Sequence, residues 1–360
     1  MLLLGSDPVF AEHVTGPGHP ESPERLEAVA AGIARADLGS DLVKLAHRDA
    51  TELELERVHP RDHLAALRAR CESGDHLDAD TPTSRRSWAA AVAAAGAGLA
   101  AVDALEARAA SAAFVAVRPP GHHARPRQAM GFCLINNVAV AASELQARGE
   151  RVAIVDIDAH HGNGTQEVFA SSPDVFYVSF HEWPLYPGTG RHDEIGSGPG
   201  VGTTCNLPLP GGATGDVYLR ALDDVVEPLL ASFDPTWLLI SAGFDAHRDD
   251  PLTGLALSAG DYAGLVRRLM TMVPSGRTVA FLEGGYSLTG LADSVAATIP
   301  VLAGAPDGSD GVAPGEAPTA GGPGHTVVDA VARMWRDQLG EPADHGRRVA
   351  LPTAGAPRRR

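Results

Sequence analysis

The segment VDIDAHHGNGTQ, residues 155–166, decides the fold reading of this chain. It closes an apolar run that begins at Val152, so a buried strand ends by presenting Asp156, Asp158 and His160. In extended chain alternate side chains share a face, and these three point the same way. Two carboxylates and an imidazole on one buried face are costly unless a cation compensates them. The plainer alternative is a helix cap followed by a surface histidine cluster.

Outward from this segment the pattern repeats. Short apolar runs at Ala112–Val117, Val152–Ile157, Val175–Phe180, Trp237–Ser241 and Thr278–Leu282 read as buried parallel strands. Between them, Pro23–Ala34, Asp62–Cys71, Ser87–Glu106, Asn137–Ala147, Asp216–Ser232, Ala259–Met272 and Leu288–Ala297 read as helices. The alternation predicts an α/β fold: one three-layer domain over residues 1–303, with a central, mostly parallel sheet and helices on both faces. The Gly/Pro-rich stretch 304–324 reads as a linker, and residues 325–360 as a C-terminal helix and tail.

In open α/β sheets ligands bind beyond the carboxyl ends of the strands, and the chemistry-bearing residues follow the predicted strands. RPPGHHA (118–124) fixes a turn that ends in His122 and His123. SAGFDAHRDDPLTGL (241–255) places Asp245 just past a strand end, where it can meet Asp158 and His160. That set leaves a position open for water, the pattern of a catalytic zinc site. Fe(II), Co(II) or Mn(II) would suit the same ligands. LEGGY (282–286) presents Tyr286, a possible donor to a developing oxyanion or else a core tyrosine. Gly131, Phe132 and the YPGTG segment (186–190) suit either an apolar channel wall or core packing.

Composition narrows the function classes. With 29 basic and 45 acidic residues the formal net charge is −16. That opposes sequence-independent nucleic-acid binding, and is compatible with cationic substrates or with ordinary solubility. The cysteines, Cys71, Cys133 and Cys205, form no CxxC pair. The first ten residues lack the basic region of a signal peptide, and Ala89–Ala101 is too short to span a bilayer. A cytoplasmic, reducing setting without membrane contact is expected.

HPESPERL (19–26), RPPGHHA, GFCLINN (131–137), VDIDAHHGNGTQ, YPGTG, SAGFDAHRDDPLTGL and LEGGY together resemble the zinc-dependent histone deacetylase superfamily. The likeness is greatest to its class II branch and the bacterial relatives that include acetylpolyamine amidohydrolases. The resemblance implies an arginase/deacetylase-like fold and zinc held by Asp158, His160 and Asp245. It implies a His122–His123 pair, with Asp156 orienting the first histidine and Tyr286 polarising the carbonyl. Phe132, Gly131 and Tyr186 would line the channel, with Leu252 at its mouth and Asp80 matching a rim aspartate. A potassium ion would sit by Asp156, Asp158, His160, Ser179 and Phe180. Asn163 stands where class I members have an aspartate beside the second histidine, so His123 should be less basic than there. The implied substrate is an acetylated lysine peptide or protein, or an acetylated polyamine, and a homo-oligomer is possible. The rivals are an arginase-like binuclear hydrolase, which needs a carboxylate where this chain has His247, and a non-catalytic acyl-lysine binding module.

Overall fold

Val152–Asp156 (β4) is the axis of the sheet. It pairs in parallel with Val175–Glu182 (β5) on one side and Trp237–Ala242 (β7) on the other, so Asp156 lies level with both Ser179 and Ser241. The computed structural model describes residues 1–305 and 316–339. It adds Leu2–Gly5 (β1), Leu42–Lys44 (β2), Ala112–Val115 (β3), Thr204–Leu209 (β6) and Thr278–Leu282 (β8). The result is an 8-stranded sheet of order β2-β1-β3-β8-β7-β4-β5-β6, with every ladder parallel.

Two cores flank it. Phe114, Val155, Val178 and Ile240 face one layer, packed with Glu24–Ala36 (α1), Ala259–Met270 (α9), Leu288–Leu302 (α10) and the first part of His325–Leu339 (α11). Val115, Ile154, Tyr177 and Leu239 face the other, with Arg61–Ser73 (α3), Ser87–Glu106 (α4) and Asn137–Ala147 (α5). The side-chain alternation of each strand thus feeds both layers. The 20-residue α4 is apolar enough to cross a membrane by composition, and is here a core helix packed on α5 and β3. Four shorter α-helices are also described: Glu52–Leu55 (α2), Asn163–Phe169 (α6) and Gly215–Ala221 (α7), the last running through a π turn into Glu227–Phe233 (α8). In that turn Glu227 N–H reaches the Leu222 carbonyl, and Pro228, which has no N–H to give, follows at the start of α8.

The strand order sets the site. Between β3 and β4 the chain passes over the places of β8 and β7, so the ends of β3, β8, β7 and β4 stand side by side. Such a change of direction is where α/β sheets open a crevice. Of the stretch read as a linker, residues 306–315 lie outside the described residues, while 316–324 lie against the starts of α7 and α9. The tail beyond 339 lies outside the described residues.

Candidate active site

At the end of β4 the chain turns so that Asp158 and His160 converge on Asp245 from the end of β7. His160 Nδ1 lies 2.9 Å from Asp245 Oδ2 and 3.1 Å from Asp158 Oδ1. All three are buried, with ligand atoms within 4.8 Å of one another. Backbone amides fix the carboxylates: Gly284 N–H donates to Asp158 Oδ2 and Ala159 N–H to Asp245 Oδ1, each at 2.8 Å. Gly284 is required here, because a Cβ would meet Asp245 Oδ2 at 2.3 Å and Asp158 Oδ2 at 2.6 Å.

The electrostatics of this trio test its fitness for a metal. Burial and the neighbouring Asp158 push Asp245 up to about 7. Against its own burial, His160 is raised to about 10 by Asp158 and Asp245. Two carboxylates facing each other in a buried site favour a cation between them, and the donor set of two carboxylates and one imidazole fits a divalent ion.

His122 and His123 pack with ring centroids 4.1 Å apart beside this trio. His122 Nδ1 donates to Asp156 Oδ2 at 3.0 Å, and Tyr177 donates its hydroxyl to the same oxygen at 3.1 Å. Despite burial, Asp158 and Asp156 hold His122 well above the usual imidazole range. His123 is opposite in character. Burial and the charge on His122 push it well below that range, and its Nδ1 donates to Asn163 Oδ1 at 2.8 Å. Its Nε2 lone pair is therefore free to accept a proton. One histidine is built to be charged and the other neutral.

Tyr286 follows β8 on the opposite wall, its ring 5.8 Å from that of Phe132 and edge-on to it. Burial raises its hydroxyl well above 10, so it is a protonated donor. Gly131 and Phe132 sit in left-handed backbone, φ 56° and 68°. Gly131 abuts the rings of His123 and Tyr186, and Tyr186 stands edge-on to His123 at 5.2 Å. Phe132 thus neighbours Tyr286, and Tyr186 neighbours His123 and His160, beside the trio. Tyr186 and Leu252 are each 38% exposed. Asp80 lies on the Leu77–Thr81 turn, where Thr81 Oγ1 accepts from Phe132 N–H and the Asp80 carbonyl accepts from His19 Nε2. Ser179 and Phe180 are buried on β5 beside Asp156, with Ser179 Oγ hydrogen-bonded to His181 Nδ1 at 2.9 Å.

The structure adds residues to which the sequence assigned no role. Glu283 Oε2 accepts from the amides of Gly121 and His122 at 2.6 and 3.1 Å, holding the histidine turn. Burial raises its carboxyl to about 7, and among the described residues its buried Oε1 has no hydrogen-bond partner. Asp250 accepts from the amides of Leu252, Tyr286 and Ser287, tying the β7 loop to the tyrosine. Glu21 lies between Arg25 and Arg118, all three fully buried, and Arg25 in turn donates to the Gly285 and Glu283 carbonyls. Each lies inside a motif quoted above, so the signal was present without a partner to interpret it. An apolar groove of about 540 Å³ against α1 lies apart from this chemistry, lined by Phe10, Leu26, Val29 and Ile33.

Comparison with known proteins agrees with the geometry. Residues 19–302 match the family model described as the histone deacetylase domain. A probable deacetylase of Archaeoglobus fulgidus is 39% identical over 287 residues, 78% of this chain and 80% of that one. A histone deacetylase-like amidohydrolase of Pseudomonas aeruginosa is 37% identical over 277 residues, 75% of this chain and 73% of that one. The crystal structure of the HDA15 HD domain superposes with a TM-score of 0.85 at 36% identity, covering 93% of this chain and 95% of that one. With the parallel sheet, the strand-end site and this extended match in accord, the chain belongs to the histone deacetylase family and is a hydrolase of the deacetylase type.

Proposed function

We propose that the protein is a zinc-dependent amidohydrolase that removes acetyl groups from lysine side chains or related amines. The observation that carries the proposal is the buried convergence of Asp158, His160 and Asp245 beside the His122–His123 pair, the first bonded to Asp156 and the second to Asn163. Those three residues would hold the ion, which when bound supplies a Lewis acid for the acyl carbonyl and for water. His123 Nε2 takes the proton of the attacking water and passes it to the amine leaving group. His122, anchored on Asp156, stays charged and keeps His123 from being protonated early. The Tyr286 hydroxyl donates to the oxygen on which negative charge develops. A channel walled by Phe132, beside Tyr286, and by Tyr186, beside His123, would suit the methylene stem of an acylated amine. A potassium ion by Asp156, Asp158, His160, Ser179 and Phe180 belongs to the same proposal, as does action in the cytoplasm.

His247 weighs against a binuclear arginase-like site. An imidazole stands there in place of the carboxylate such a site needs, and its Nε2 donates to Glu316 Oε2 at 2.8 Å while its Nδ1 accepts from Asp249 N–H at 3.2 Å. The retained ligand trio and Tyr286 favour catalysis over acyl-lysine binding alone.

The decisive experiment is acetate release by zinc-loaded protein, comparing kcat/KM for an acetyl-lysine peptide and an acetylated polyamine. Activity with either, lost on chelation and restored by about one zinc per chain, is expected; none with either would overturn the proposal. Preference for the peptide would point to acylated proteins, and preference for the polyamine to small-molecule metabolism. Tyr286→Phe is expected to lower kcat about 10²- to 10³-fold, the effect of removing one oxyanion donor, with zinc content unchanged. An unaltered kcat would remove Tyr286 from this role.

A further inference from the structure

The matched family domain ends at residue 302, yet residues 316–324 reach back to the active-site side of the sheet. Glu316 is central to that return. Its Oε2 accepts from His247 Nε2 and from Ala259 N–H at the start of α9, both at 2.8 Å, and its Oε1 pairs with Arg248. Thr319 donates its hydroxyl to Asp261, and Gly322 N–H donates to Thr214. The return is thus fixed at several points.

His247 lies two residues beyond Asp245 and is 1% exposed. Besides Glu316 it touches Asp249 N–H and Gly290 in the first turn of α10, where a Cβ would come within 2.6 Å of its Nδ1. The His247 carbonyl accepts from Asp250 N–H at 2.8 Å. The Asp250 carboxylate then holds the amides of Tyr286 and Ser287 at 2.7 and 3.2 Å. A continuous set of contacts runs from Glu316, through His247 and the turn that carries Asp245 and Asp250, to the backbone of the tyrosine. Each bond fixes a group whose misplacement by about 1 Å can cost 10²-fold in rate.

We infer that Glu316 is a positioning residue of the active site, setting the loop between β7 and α9 and with it Tyr286, so that the segment after the family domain is part of the working enzyme. The activity part of this rests on the deacetylase reading; the positional part does not. The test uses the full-length chain, with Glu316→Ala, Glu316→Gln and Arg248→Ala, which removes only the partly exposed ion pair on Glu316 Oε1. The glutamine keeps one oxygen for His247 Nε2–H and Ala259 N–H.

Two readouts are taken well below each variant's melting temperature. Hydrogen exchange at the Tyr286 and Ser287 amides is expected to accelerate about tenfold in Glu316→Ala, and to return towards wild type in Glu316→Gln and Arg248→Ala. Across the same variants kcat is expected to fall about tenfold in Glu316→Ala, with KM within about twofold, and to recover in the other two. Acceleration confined to residues 258–261 and 316–324, with Tyr286 and Ser287 unchanged, would show a merely local brace and overturn the inference. If wild type released no acetate, the exchange comparison would still decide the positional claim. Should Glu316→Ala fail to fold, Glu316→Asp, too short to reach His247, carries the same comparison.

Discussion

His123→Ala is expected to lower kcat/KM about 10²- to 10⁴-fold at unchanged metal content, the range for losing a positioned general acid–base group. The expectation comes from the division of labour within the histidine pair. His122 donates to Asp156 and lies 3.8 Å from Asp158, so the two carboxylates favour its charged form. Among the described residues no carboxylate is hydrogen-bonded to His123. Its Nδ1 meets the neutral amide oxygen of Asn163, and the charge on His122 sits one ring away. Burial and that charge keep its Nε2 unprotonated, which is the state that can accept a proton from water. Alanine removes the acceptor and leaves the metal trio intact, so metal content and activity should separate. A fall of less than tenfold, with metal content preserved, would mean that another group moves the proton.

The centre of this fold was legible because its central strands are buried on both faces. Such strands read as unbroken apolar runs, and β3, β4, β5, β7 and β8 were found that way. The strands that went unread each have a physical reason. β2 has only 3 residues, with Val43 and Lys44 exposed at the sheet edge. β6 carries Asn206 and Pro208, and the proline is tolerated because this is the opposite edge. β1 is a short run, Leu2–Gly5, whose burial depends on β3 beside it.

The site shows the same divide. Asp158, His160 and Asp245 could be grouped from the sequence because strand ends are brought together by a parallel sheet. Glu21 could not be paired with Arg118, because 97 residues separate them and no periodicity links a loop to a distant strand end. Glu316 was read as linker for a similar reason. Its neighbours Ala, Pro and Gly carry no periodic pattern, and its role depends on His247, 69 residues earlier.

Glu21→Leu is expected to destabilise the protein by about 3–5 kcal/mol, the cost of leaving a buried charge without its partner. Here the stranded charges are those of Arg25 and Arg118, both fully buried. Arg118 would keep the carbonyls of Phe10 and His13, and Arg25 those of Glu283 and Gly285, so their hydrogen bonds are only partly lost. What is lost is the one carboxylate both guanidinium groups contact. Against its own burial, Arg118 and Arg25 lower the Glu21 carboxyl from 4.5 to about 2. A carboxyl depressed in the folded state contributes stability above its unfolded pKa and loses it as pH falls through the folded one. This contribution is about 3 kcal/mol at neutral pH, intact above about pH 4.5 and gone near pH 2. Urea unfolding of wild type and Glu21→Gln at pH 7 and pH 3 separates the parts. The variant should be less stable at pH 7, and the difference should shrink at pH 3, where the unfolded chain's Glu21 is protonated and so gains relative to the charged folded one. Because Arg25 also holds Gly285 next to Tyr286, kcat should fall with stability. Equal stability of the two proteins at pH 7 would show that the arginines are satisfied by carbonyls alone, and that the HPESPERL segment owes its form to something other than this charge.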